Sequence, residues 1–181
     1  MLVLPGCLAF GTELLHGSGE EVADPFFVKE LFGGHAGWEG KRLQFAFGAG
    51  RYEVPSFLLS GDANYDVARW EATVTSIQVA RVTYRFRGAM KSGPAVGAVL
   101  LNQNYRLRSE RLGGETRFRP LSVGVTAGYY AHVGRHFYLY PTAAYTYNRV
   151  ISGSTTIRGT SYDVERWSPN ASLHAGWEWG R

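Results

Sequence analysis

Ser172, His174 and Glu178 place a nucleophile, a base and an acid on one face of an alternating segment near the C-terminus. Brought together, such a set performs acyl transfer: the histidine takes the serine proton and the carboxylate orients the imidazole. Ser122 and His132 share a face in the same way. Spacing argues against catalysis by either set, because alternate residues of one strand stand roughly 7 Å apart, too far for the serine to bond the histidine beside it without side-chain reach. A Gly-x-Ser-x-Gly elbow is also missing, since Gly153-Ser154 lacks its flanking glycine. The balance is toward a non-enzymatic chain, with Ser172, His174 and Glu178 as its catalytic candidates.

Five histidines, His16, His35, His132, His136 and His174, raise metal or acid–base chemistry. No His-Glu-x-x-His spacing occurs, and a single cysteine, Cys7, makes neither an internal disulfide nor a thiolate zinc site. Neither a metal nor a cofactor is expected. The net charge is +4 and the pI about 9.3, which would suit an anionic partner. Yet Arg106, Arg108, Arg111, Arg117 and Arg119 cluster around Gly113 and Gly114 and read as a charged loop with its rims. Nucleic-acid readers present a basic helix or a sheet with stacking aromatics, so no nucleic-acid partner is expected.

The elements that must position these residues are strands. With 181 residues, 45% hydrophobic, 14% aromatic and 19% charged, the chain can bury the core of one domain, residues 1–181, and is not of disordered type. No apolar run reaches the 18 or so residues of a helical membrane span. Alternation is pervasive: Leu121, Val123, Val125, Ala127, Tyr129, Ala131 and Val133 oppose Ser122, Gly124, Thr126, Gly128, Tyr130 and His132. Leu173, Ala175, Trp177 and Trp179 likewise oppose Ser172, His174, Gly176 and Glu178, and Leu43, Phe45, Phe47 and Ala49 oppose Gln44, Ala46, Gly48 and Gly50. Further strands are expected near 26–38, 67–86, 94–109 and 137–150. The 67–86 segment changes phase between Val74 and Ile77 and again before Val82, which implies either bulges or two partly apolar faces. A three-residue loop of Gly134, Arg135 and His136 pairs Val133 with Phe137 and keeps Leu139, Ala143 and Tyr145 on the apolar face. An eighth strand from Leu2 to about Phe10, with the first loop completing residues 1–25, restores an even number. Two short echoes, Tyr65–Trp70 with Tyr162–Trp167 and His35–Glu39 with His174–Glu178, suit a meander of similar hairpins.

Long alternating strands must hide their edges, and closure removes them, so the expected fold is all-β: a closed antiparallel up-and-down transmembrane barrel of about eight strands. Strand length, small or polar residues on the second face and aromatics near strand ends favour an apolar face turned outward to lipid. Leu121, Val123, Val125, Ala127, Leu173, Trp177 and Trp179 are then lipid-facing, and Glu71, Arg81, Arg85, His132, His174 and Glu178 form a polar network inside. No open pore is expected from about eight strands. A charge outward at Val125 should cost about 2–4 kcal/mol, whereas Gly153 should tolerate one.

In this pattern the chain resembles the small eight-stranded outer-membrane β-barrel proteins of Gram-negative bacteria. The resemblance covers about residues 26–180, and the last strand, with His174, Gly176, Trp177 and Trp179, is similar to their terminal assembly signal but ends in Gly180-Arg181. It implies location in the cell outer membrane, contact with outer-membrane lipid, and a structural role or a protein or glycan partner at the long loops. Some such barrels are lipid-modifying hydrolases, the first alternative for the Ser/His/Glu face. A soluble calycin-like carrier of a small hydrophobic ligand is the second, although Gly37 directly precedes Trp38 where lipocalins have Gly-x-Trp. At the N-terminus no Lys or Arg precedes Lys29 and Pro5-Gly6 breaks the apolar run, so residues 1–25 do not read as an export signal. Cys7 reads as a small apolar residue.

Overall fold

The computed structural model describes the backbone of residues 7–17, 32–39, 41–54, 56–60 and 62–179, and side chains from residue 41 onward except those of 57, 58 and 179. Eight long strands dominate: β1 (Cys7–Gly17), β2 (Phe32–Glu39), β3 (Leu43–Val54), β4 (Trp70–Arg85), β5 (Gly93–Ser109), β6 (Glu115–Val133), β7 (Phe137–Gly153) and β10 (Trp167–Trp179). Between them lie two single-turn helices, α1 (Ser56–Leu59) and α2 (Tyr65–Ala68), and a small hairpin of β8 (Thr156–Ile157) and β9 (Thr160–Ser161). All neighbouring strands run antiparallel in up-and-down order, and β1 pairs with β10 on one side and β2 on the other. The described part of the first strand is Cys7–Gly17; residues 2–6 and 26–31 of the expected strands lie outside the described residues.

Alternation sets the faces. Along β6 the residues Leu121, Val123, Val125, Ala127, Tyr129 and Val133 are exposed, while Ser122, Thr126 and Tyr130 are buried. Val133 pairs with Phe137 across Gly134, Arg135 and His136, the register expected from the three-residue loop. In β4 a single bulge, with Thr75 unmatched between Val74 and Ser76 opposite β5, accounts for the broken phase. Before it Trp70, Ala72 and Val74 point inward; after it the parity flips, and Arg81, Thr83 and Arg85 are buried while Val82 and Phe86 are exposed. Glu71 precedes the bulge and is exposed, opposite Arg108, so it stands apart from the inward-facing charges with which it was grouped.

The interior has two zones. At the short-turn end it is polar and aromatic. At the long-loop end Leu59, Ala68, Trp70, Ala72, Leu107, Phe118 and Ile157 form an apolar cluster that extends the sheet interior into the loops. Asp62 ties two distant loops over it, accepting from Trp70 Nε1 at 3.1 Å, Asn64 N at 2.8 Å and Asp163 N at 2.7 Å. Tyr162 packs edge-on to Trp70 at 6.1 Å. The echoed hexapeptides thus meet in space but fold differently. Tyr65–Ala68 is helical and delivers a Trp70 that is 1% exposed, whereas Trp167 opens β10 and is 55% exposed, stacked on Tyr145 at 5.5 Å. Gly153 sits at φ +85, where an added Cβ would come 2.7 Å from Phe118 Cα, so any side chain there would be strained and the position is a strand end, not the tolerant loop site expected.

Candidate functional site

The densest constellation of chemically capable side chains lies on the inner face at the short-turn end. Arg85 on β4 and Glu178 on β10 join at 2.6 Å with side chains 2% and 0% exposed. The other carboxylate oxygen of Glu178 meets His132 Nε2 at 3.0 Å. Four residues along each of these strands, Arg81 Nη1 approaches His174 Nε2 at 3.0 Å. Strand β4 lies four ladders from β10 by way of β5, β6 and β7, so these contacts run across the interior and not along one face. A buried carboxylate and guanidinium in low dielectric each need a partner of opposite charge and good geometry, and here each supplies it.

Tyrosines wall the charges. Arg85 lies over the Tyr130 ring at 3.9 Å and Arg81 over Tyr140 at 5.4 Å, cation–π contacts made without competing water. Tyr130 and Tyr140 stack at 4.0 Å, Tyr138 joins them at 5.3 Å from Tyr130, and the Tyr130 hydroxyl donates to Gln44 Oε1 on β3. Gly128 makes room for this stack: a Cβ there would fall 2.6 Å from Tyr140 Cε2. These tyrosines and Gln44 were not singled out in the sequence, although Tyr130, Tyr138 and Tyr140 share the inward parity of His132.

Ser172 Oγ and His174 Nε2 are 3.0 Å apart, so side-chain reach overcomes the strand spacing that argued against their contact. The catalytic arrangement still differs from a triad. Both oxygens of Glu178 go to Arg85 and His132, and the nitrogen of His174 that meets serine is the one beside the Arg81 guanidinium. His174 is also 2% exposed, inside a packed stack with Tyr140 at 5.5 Å, so a substrate would have to displace that packing. His136 bonds the Glu178 carbonyl through Nδ1 at 2.9 Å and stacks on Trp177 at 5.6 Å, closing the short loop on β10. Among the described residues no three of His, Cys, Asp and Glu converge as metal ligands.

The outer face is the inverse of this interior. Leu121, Val123, Val125, Ala127, Leu173 and Trp177 are exposed there with Phe45, Phe47, Val82, Val96 and Leu100; the side chain of Trp179 lies outside the described residues. Val125 is 65% and Phe47 67% exposed. Contiguous exposed apolar surface of this extent marks an interaction face, and at the level of this belt the charged side chains Arg81, Arg85 and Glu178 point inside. A soluble carrier would show the opposite distribution.

No family model matches the chain, and no curated protein matches it. Solved structures do. The N-terminal β-barrel domain of Pseudomonas aeruginosa OprF is similar over 96% of this chain and 99% of that one, with a TM-score of 0.58 at 15% identity. Neisserial surface protein A is similar over 97% and 96%, with a TM-score of 0.51 at 17% identity. The fold is that of the small outer-membrane β-barrels. At this identity the shared feature is the strand architecture, whereas the interior charge network is described from this chain's own residues.

Proposed function

We propose that the chain is an integral outer-membrane β-barrel protein, closed by eight strands and without an open pore, whose structural or binding role is exercised at its long-loop end. The observation that carries this reading is the inside-out distribution: an ion pair almost wholly buried between β4 and β10, and an outer belt of exposed leucine, valine, phenylalanine and tryptophan. Support for closure comes from the two ladders of β1 and from side-chain contacts that span opposite strands. The apolar run Leu121–Val133 is about 40 Å along the strand, and at the ~45° tilt of membrane strands it rises about 28 Å, close to the ~25 Å apolar band of such barrels. Arg81, Arg85, Tyr130, Tyr138, Tyr140, His174 and Glu178 fill the interior, as about eight strands allow.

Two readouts test the proposal. The protein should stay with the membrane pellet until detergent is added, and an unboiled sample should migrate differently from a boiled one on a gel. Solubility without detergent would refute it. The Ser172–His174 contact motivates the hydrolase alternative; it predicts altered phospholipid or lipid A profiles on overexpression that revert in His174→Ala, whereas the proposal predicts identical profiles for both proteins.

A further inference from the structure

The outer face changes character abruptly toward the long loops. On β5 the exposed Val96, Ala98 and Leu100 give way to Asn102, Asn104 and Arg106; on β6 Val123 and Leu121 give way to Arg119 and Arg117; on β7 Tyr145 gives way to Arg149. All four arginines are exposed. Arg106 and Arg117 are direct cross-strand partners, an opposition of like charges that by itself disfavours the pairing. Arg119 follows on the same face and is held by Asn102 Oδ1, which accepts from its Nε at 2.7 Å, while Asn102 donates to Gln78 Oε1 at 2.9 Å. Arg149 opposes Leu121 and so lies diagonal to Arg119.

Carboxylates on this face flank the patch: Glu53 on β3 opposes Thr73 and so stands two strands from Arg106. Glu71 and Glu115 both oppose Arg108, and the contact of Glu115 with Arg117, at 3.3 Å, has both side chains largely in solvent, where such pairs contribute little. What remains is a patch of four guanidiniums on three adjacent strands, seated immediately above the apolar band. A planar guanidinium fork binds phosphate oxygens in pairs, and the edge of an apolar band is the level at which lipid headgroups lie.

We propose that Arg106, Arg117, Arg119 and Arg149 bind the phosphate of a membrane lipid whose acyl chains lie along Leu100, Leu121 and Val123. The proposal rests on the membrane reading, because only there does the apolar band hold acyl chains. Charge complementarity selects the occupant, and the neighbouring anion offsets the Arg106–Arg117 repulsion.

The test uses the full chain folded in uncharged maltoside micelles and titrated with dioleoyl phosphatidic acid or with dioleoylglycerol, which has the same acyl chains without phosphate. Bound lipid is counted by native mass spectrometry. Phosphatidic acid should bind at least about tenfold more tightly, the effect of one charge-assisted hydrogen bond, and the advantage should shrink as salt rises. Arg106→Gln/Arg117→Gln/Arg119→Gln/Arg149→Gln should abolish the preference, Arg117→Gln/Arg119→Gln should reduce it, and Arg158→Gln at the β8–β9 turn should leave it intact. Equal binding of the two lipids by the wild type, or a preference that survives the four substitutions, overturns the site. Because every protein is first checked for a heat-modifiable band, failure of the barrel reading shows separately from failure of the lipid site.

Discussion

Removing the Glu178 carboxylate isolates the energetics of the buried network. Glu178→Gln keeps the shape of the side chain but removes the carboxylate charge that Arg85 and His132 both face inside the sheet. Opposite charges about 4 Å apart at an effective dielectric of ~20 attract by about 4 kcal/mol, and breaking one side of a buried pair typically costs about 3–5 kcal/mol. The Lys91 carbonyl, 3.2 Å from Arg85 Nη2, and the Tyr130 ring at 3.9 Å stay in place and soften the loss. The expected destabilisation is therefore about 3–4 kcal/mol. Urea titrations in micelles, followed by the gel shift between folded and unfolded bands, measure it. Arg85→Met/Glu178→Leu should recover most of the loss, since replacing both charges leaves neither half of the pair behind. A loss below about 1 kcal/mol in Glu178→Gln, or a double variant as unstable as the two single variants summed, would show that the pair is not the desolvated contact described.

Three further outcomes follow from other parts of the molecule. Val125→Arg should cost about 2–4 kcal/mol in the same assay, whereas Ala63→Arg in the exposed loop should stay within about 0.5 kcal/mol; equal tolerance would place Val125 in water. Asp62→Ala removes the acceptor for three donors in two loops, so hydrogen exchange over 62–70 and 160–166 should accelerate while the heat-modifiable band persists. Burial pushes the Tyr162 phenol well above its ordinary pKa of 10. Folding therefore favours the neutral form, and this contribution is present below pH 10 and declines as pH rises beyond it, so the near-ultraviolet signal of the loop cluster should fade at strongly alkaline pH in wild type and later in Tyr162→Phe.

How far these features were legible in the sequence depends on how local their causes are. The Leu121–Val133 alternation and the Gly134–His136 loop follow from a period of two and one turn, and both can be read residue by residue. The bulge at Thr75 cannot, because the inward run Ile77, Val79, Arg81 is apolar before it is charged, so phase and polarity change at different places. That offset is why Glu71 was grouped with Arg81 and Arg85. Contact between Ser172 and His174 depended on side-chain rotamers, which strand spacing does not determine. The arginines around Gly113 read as loop rims because their outward register against Leu100 and Leu121 appears only when three strands are aligned.

The central claim, that apolar residues face lipid while their neighbours face a packed polar interior, is tested most directly by a cysteine scan of residues 122–127 in a Cys7→Ser background. Each site carries a nitroxide label in lipid bilayers, and its collisions with oxygen and with a water-soluble nickel chelate are compared. The account predicts high oxygen and low nickel accessibility at 123, 125 and 127, with low accessibility to both at 122 and 126. Nickel accessibility at 123, 125 and 127 equal to that of a label at Ala63 would contradict it.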